Sequence, residues 1–308
     1  MHLYNRGKVQ NIEQLNMPRL GLINYINSLP IVLPIMQGLV KVDAQLILAE
    51  PTRLNALFAA NEVEYGAMSA FAYLEQNNLA LIPTVSISSQ GAVSSVLLFS
   101  KMPIEKQALL KVAVPTGSAT SVNALLLLLA ENQKEMPVLI TVGKPSLDDP
   151  ELDAALVIGD RALLIDEEWS KIYHRYDLGQ WWYESFNLPM VFGVFAVRTN
   201  WLPGGQNNKL VNENNEEQNQ NPSMSPLIEQ LGEVFLEASR IGLGLRFESV
   251  LEEAERRTGL SKERLKQYYK NDLDFSWTAK HSQALEKYAI LCRQSGILAG
   301  DSDSATKI

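Results

Sequence analysis

The chain is short of almost every residue that would announce a cofactor. Cys292 is its one cysteine, which excludes an intramolecular disulfide and a thiolate metal cluster. The three histidines, His2, His174 and His281, lie far apart and without metal-ligand spacing, so no metal is expected. Glycine-rich phosphate loops and Gly-x-Ser-x-Gly elbows are absent, which removes the usual nucleotide and serine-hydrolase readings. No cofactor of any kind is expected. The longest apolar run, Ala124 to Ala130, is far too short to cross a bilayer, so no membrane partner is expected. The opening "MHLYNRGKVQNIEQLNMP" has neither the apolar core of a secretory signal nor a cysteine for a lipid, which points to a cytoplasmic location. Basic residues are outnumbered, 27 against 35 acidic, and the net charge of -8 argues against a nucleic-acid partner, which needs a concentrated basic face.

What is present is a core of ordinary size: 46% of the 308 residues are hydrophobic, enough for about two domains. Strand-like and helix-like segments alternate, the pattern of a mostly parallel sheet. "RLGLI", "AQLILAE", "YGAMS" and "AVSSVLLFS" read as strands, the last a long one. The helices between them start at Pro30, at "PTRLNALFAANEV" capped by Thr52, and at "AFAYLEQ". The pattern then restarts with "KVAVP", a helix after "TGSATS", "PVLITV", "AALVIG" and a helix opened by Asp160. A second long strand, "LPMVFGVFAVR", closes it. Two α/β units joined by two long strands imply two lobes around a cleft. Residues 204–226 are rich in Asn, Gln and Glu and cannot bury enough surface to offset their ordering entropy, so a disordered polar insert is expected there. Residues 227–299 read as wholly helical, with capping signals at Ser261 and Ser276.

Polar clusters fall at the predicted strand ends, where open α/β sheets hold their ligands. In "NYINSLP", Asn27 or Ser28 is expected to cap a helix whose first turn tolerates Pro30. Ser69, Ser94-Ser95 and Thr116 to Ser121 follow, and three hydroxyls at Ser118, Thr120 and Ser121 exceed what one cap needs. Asp160 is read either as a helix cap or as a group facing the cleft. His174 and Arg53 are read as surface or packing residues, and the aromatic run Trp181-Trp182-Tyr183 as helix packing or, alternatively, a pocket lining. A neutral polar site of this kind suits binding of a small carboxylate better than hydrolysis or redox work.

Together, "RLGLINYINSLP", "EPTRLNALFAANEVEYGAMSAFAY", "ISSQGAVSSVLLFSKMPIE", "VIGDRALLIDE" and "YDLGQWWYESFNLPMVFGVFAVR" resemble the chorismate dehydratase family of the futalosine route to menaquinone. The C-terminal stretch from Leu260 to Leu298 is similar to that family's helical tail. The resemblance implies an α/β fold of the type 2 periplasmic-binding-protein kind. Each lobe is then a mixed sheet flanked by helices, with a helical C-terminal segment. It implies an N-terminal extension over 1–17, a first lobe from 18–100 and 227–308, and a second lobe from 101–203. It implies a hydro-lyase that takes chorismate, a small dicarboxylate, to 3-enolpyruvylbenzoate, with Asn27 and Ser95 catalytic. Tyr25, Ser28, Ser69, Ser118, Thr120, Ser121 and Asp160 would then bind substrate. Four positions depart from the family pattern: Ala119 replaces an Arg, Ala70 a Ser, Ala72 a Glu and Gln90 an Asp. The alternative is a non-catalytic solute-binding protein of the same fold. The proton acceptor is either Asp160 or the substrate's own enolpyruvyl carboxylate.

Overall fold

The computed structural model describes residues 17–107, 110–132, 134–202 and 225–299. Strand β1 (Arg19–Ile23) is buried beyond its first residue, which is why it reads as an unbroken apolar run. It pairs in parallel with β2 (Gln45–Ala49) and β3 (Tyr65–Ser69). Helices α1 (Leu29–Met36) and α2 (Pro51–Ala59) make the crossovers, and α3 (Ala70–Glu75) follows β3. β10 (Met190–Arg198) and β4 (Leu79–Ser89) add antiparallel, and β11 (Asp274–Ser276) lies at the edge, giving the order β11-β4-β10-β3-β1-β2.

The second sheet has the order β7-β6-β8-β5-β9. Its parallel part is β6 (Lys111–Pro115), β7 (Val138–Val142) and β8 (Ala154–Ile158), crossed by helix α4 (Ala119–Glu131). β5 (Val96–Ser100) runs antiparallel between β8 and β9 (His174–Asp177). Helices α5 (Gly159–Trp169) and α6 (Leu178–Phe186) complete this lobe. The C-terminal helices α7 (Pro226–Leu243), α8 (Phe247–Thr258), α9 (Lys262–Gln267) and α10 (Ala279–Gln294) pack back on the first lobe, α7 against α1 and β4.

The lobe boundaries differ from the expected ones. Val96–Ser100 belongs to the second sheet rather than the first, and Met190–Arg198 to the first rather than the second. Both segments are apolar enough for either sheet, and their antiparallel partners decide the matter. The long strand expected over "AVSSVLLFS" begins only at Val96, because Ser94 takes a left-handed conformation (φ 59°). β4 escaped the sequence because its serines interrupt the apolar pattern. They face the tail instead, where Ser86 Oγ donates to the Ser276 carbonyl (2.7 Å) and Ser88 Oγ to that of Asp274 (2.8 Å). The expected insert falls outside the described residues up to 224, as does the N-terminal extension up to 16.

The tail is not wholly helical either, since β11 breaks it, and Thr278 rather than Ser276 caps α10. His281 completes that cap: its Nδ1 accepts from the Thr278 N–H, so its Nε2 carries the proton and faces Asp274 Oδ2 at 3.2 Å. Burial pushes the Asp274 carboxyl upward, but hydrogen bonds from His281 and Ser276 outweigh it and hold the group at about 2. A carboxyl titrating lower in the folded than in the unfolded chain adds stability above its unfolded pKa, and loses it as pH falls towards the folded one. Asp274→Asn should therefore lower stability by about 2 kcal/mol at pH 7 and by much less near pH 2, read from urea melts at both. Equal losses at both pH values would show that the charge is not what stabilises the tail.

Candidate active site in the cleft between the lobes

The C-terminal ends of β1, β2 and β3 face those of β6 and β8 across a cleft of about 820 Å³, open to solvent at its mouth. Helices α1, α2, α3, α4 and α5 all begin at this cleft, so their unpaired N–H groups and positive dipole ends favour negative charge there. Glu50 is the one charged residue among the described lining. Charge on a ligand is therefore met by neutral donors.

The corner after β1 is built to hold Asn27. A short 3-10 turn, Ile26–Ser28, precedes α1, with Pro30 in the first helical turn as expected. Neither Asn27 nor Ser28 caps by its side chain. The Ser28 hydroxyl turns back to the carbonyls of Ile23 (2.6 Å) and Tyr25 (2.9 Å), and the residue is buried and does not line the cleft. Its expected role at the substrate is thus corrected to bracing the corner. Asn27 does line the cleft, and its Oδ1 is shielded without a hydrogen-bond partner. Leaving a buried acceptor unmet costs about 1–3 kcal/mol, a cost that a ligand hydroxyl donating to it would relieve.

Asp160 also departs from expectation. Ile158, not Asp160, holds the cap position of α5. Its carboxylate reaches across the lobes and accepts from the Ile26 N–H (3.2 Å), and it does not line the cleft. Burial pushes this carboxyl upward, against the hydrogen bond from Ile26 and the nearby Arg257 charge. Tyr25 lines the cleft, and its phenol is pushed up to about 12, first by burial and then by Glu50 and Asp160, so it stays a neutral donor. Gly159 (φ 63°) lies under the Tyr25 ring.

Ser95 sits in the cleft wall, 3% exposed. The preceding turn is fixed by the buried Asp177, which caps α6 and also accepts from the N–H groups of Val93 (2.9 Å) and Ser94 (2.7 Å). Ser95 Oγ accepts from the Tyr268 hydroxyl at 2.9 Å, so its own proton is free for the cleft.

Ser69, Ser118, Thr120 and Ser121 all line the same cleft, but not on equal terms. Ser69 caps α3, accepting from the Ala72 N–H and from Asn55 Nδ2, and keeps its proton to donate. Thr120 Oγ1 accepts from the Phe71 N–H (3.0 Å) and ties α4 to α3. Ser118 holds the cap position of α4 without a side-chain bond, and Ser121 is buried in the first turn of that helix. Those two hydroxyls are available to a ligand.

Thr52 does not cap α2 as expected: Glu50 occupies the cap position and no side chain caps it. The Thr52 hydroxyl instead donates to the Gly117 carbonyl (3.0 Å), joining the lobes at the mouth of the cleft. Sequence reasoning missed Glu50, Thr52, Phe192 and Leu273 as lining residues. Glu50 and Thr52 flank a strand-to-helix corner of the same kind as the others, and that signal was available. Phe192 and Leu273 come from a returning strand and from the tail, and only folding brings them here. Within the aromatic run Trp182 is packing, buried against Phe186 and Tyr288 with their ring centroids 4.5 and 5.8 Å away, whereas Trp181 lines a second pocket beside Arg175 and Glu184. Among the described residues no helix is long and apolar enough to cross a membrane.

Comparison with known proteins agrees with this architecture. A periplasmic aliphatic sulphonate binding protein from Escherichia coli superposes with a TM-score of 0.63 at 13% identity, over 93% of this chain and 94% of its own. Protein AF1704 from Archaeoglobus fulgidus gives a TM-score of 0.60 at 20% identity, over 91% and 98%. These likenesses establish the two-lobed periplasmic-binding-protein-like fold. In sequence, the chain is 32% identical over 268 residues to a chorismate dehydratase from Thermus thermophilus, covering 82% of this chain and 87% of the relative. Residues 18–294 match the family model described as menaquinone biosynthesis, and the chain belongs to that family.

Proposed function

We propose that this chain is a chorismate dehydratase, a hydro-lyase that removes water from chorismate to leave 3-enolpyruvylbenzoate. The observation that carries the reading is that Asn27 and Ser95 both line one cleft whose described lining is uncharged apart from Glu50, in a chain similar to a named chorismate dehydratase. A proton leaves C3, and its electron pair forms the new ring double bond as the C4–O bond breaks. The hydroxide departs and takes up a proton as water. Charge that develops at C3 spreads through the diene to the ring carboxylate, and aromatisation makes the step downhill. The protein then has to orient the ring and meet developing charge with preorganised donors. The Ser95 hydroxyl and the Asn27 amide supply them, with Ser118, Ser121 and the helix N-termini around the carboxylates.

Asp160 accepts from the Ile26 N–H and does not line the cleft, which leaves two proton acceptors: Glu50 at the cleft and the substrate's enolpyruvyl carboxylate. Glu50 is exposed, and we assign the proton to the substrate's carboxylate. Glu50→Gln should then change turnover by less than about tenfold, well short of the roughly 100- to 10,000-fold loss expected of a general base. Incubating the purified protein with chorismate and identifying the product by mass spectrometry tests the function itself. Loss of one water mass with an aromatic ultraviolet spectrum is expected, and chelation or exhaustive dialysis should not lower the rate. Chorismate recovered unchanged would refute the reading.

A further inference from the structure

Two adjacent tyrosines of the C-terminal tail reach the two ends of the site. Tyr268 and Tyr269 open a π-helical turn, Tyr268–Asp272, in which the Leu273 N–H donates back to the Tyr268 carbonyl (3.0 Å). Such wide turns are rare and occur mainly where a side chain must be re-aimed. Both rings are buried, at 1% and 2% exposure, and pack tilted at 48° with their centroids 5.5 Å apart. The Tyr268 hydroxyl donates to Ser95 Oγ (2.9 Å), and the Tyr269 hydroxyl donates to the Ile26 carbonyl (2.8 Å), one residue before Asn27. The N–H of that same Ile26 is held from the other lobe by Asp160. Resting on the dehydratase reading above, we infer that Tyr268 and Tyr269 are paired positioning residues: Tyr268 orients the Ser95 hydroxyl as a donor into the cleft, and Tyr269 fixes the backbone that carries Asn27.

The physical basis is the direction of each hydrogen bond. A serine hydroxyl that accepts from a buried phenol cannot also spend its proton there, so the proton turns to the open side, which is the cleft. Burial pushes both phenols up, so each remains a protonated donor throughout the working pH range. The tail, remote in sequence from both corners, thereby sets the geometry of the reacting groups. This explains why the helical segment docks on the first lobe at the cleft instead of standing apart from it.

Tyr268→Phe and Tyr269→Phe, made in the full chain, test the inference by kcat, KM and melting temperature with chorismate. Each should lower kcat roughly fivefold, the scale of one neutral hydrogen bond, with KM and melting little changed. The two effects should be separable by background. Tyr268→Phe should take nothing further from Ser95→Ala yet keep its full effect in Asn27→Ala, and Tyr269→Phe should do the converse. Product accumulated over long incubations gives the slow rates. Equal losses in every background, an unchanged kcat, or a fold lost with a single oxygen atom would each overturn the inference, since a positioning hydroxyl is dispensable to folding. A wild-type protein that leaves chorismate unchanged refutes the dehydratase reading. An active wild type with unresponsive variants refutes only the tyrosine inference.

Discussion

Asn27→Ala should lower turnover of chorismate about 100-fold while leaving the melting temperature within a few degrees of the wild type, the pattern of a lost oxyanion-type donor. The expectation rests on where the side chain stands. Asn27 contributes no cap, its amide makes no hydrogen bond among the described residues, which leaves Nδ2 open to donate, and its neighbours Ile26 and Ser28 carry the structural hydrogen bonds of the corner. Removing an amide that makes no hydrogen bond to the protein takes no such bond from the fold and relieves the desolvation cost of its shielded Oδ1. A helix-capping Asn would behave in the opposite way, losing about 0.5–2 kcal/mol of stability and little activity. Ser95→Ala should act like Asn27→Ala. If both meet one group of the substrate, the double variant will lose less than the sum of the two free energies. Early melting with normal turnover in Asn27→Ala would reduce the corner to a structural turn.

Gly117→Ala should raise KM for chorismate by at least roughly tenfold, the consequence of destabilising the arrangement in which Thr52 meets Gly117 by more than about 1.4 kcal/mol. Two separate penalties meet at this position. Its φ of 83° is a left-handed conformation, which costs a residue with a Cβ about 1–2 kcal/mol whether or not the lobes meet. A Cβ there would also lie 1.8 Å from Thr52 Oγ1, and that clash exists only when the lobes approach as in this structure. The first penalty lowers the melting temperature, and the second weakens substrate binding. Adding Thr52→Gly to Gly117→Ala removes the clash and leaves the backbone strain. The double variant should therefore recover most of KM without recovering melting. If KM stays high in the double variant, the clash with Thr52 is not what weakened binding.

The sequence by itself determined the fold class and the position of the site. β1, β3, β6 and β8 are buried strands whose apolar runs are visible without any tertiary information. The polar residues that end them mark the cleft, because an open sheet exposes its strand ends at the crevice and leaves helix N-termini there. Asn27, Ser69, Ser95, Ser118, Thr120 and Ser121 were all legible on that ground, and all line it. Only the tertiary structure decided how each of them is used. An hydroxyl or carboxylate has the same local signature whether it faces a ligand, a backbone carbonyl or the other lobe. Ser28 turned inward to Ile23 within its own corner, while Asp160 crossed to Ile26 and Thr120 closed on Phe71, the last two over distances along the chain that no local pattern records. The assignment of β5 and β10 to opposite sheets has the same cause, since a strand's partner is chosen by the pairing available and not by its own residues. Tyr268 and Tyr269 reach Ser95 and Ile26 from 173 and 243 residues away, so their part in the site exists only in the folded chain.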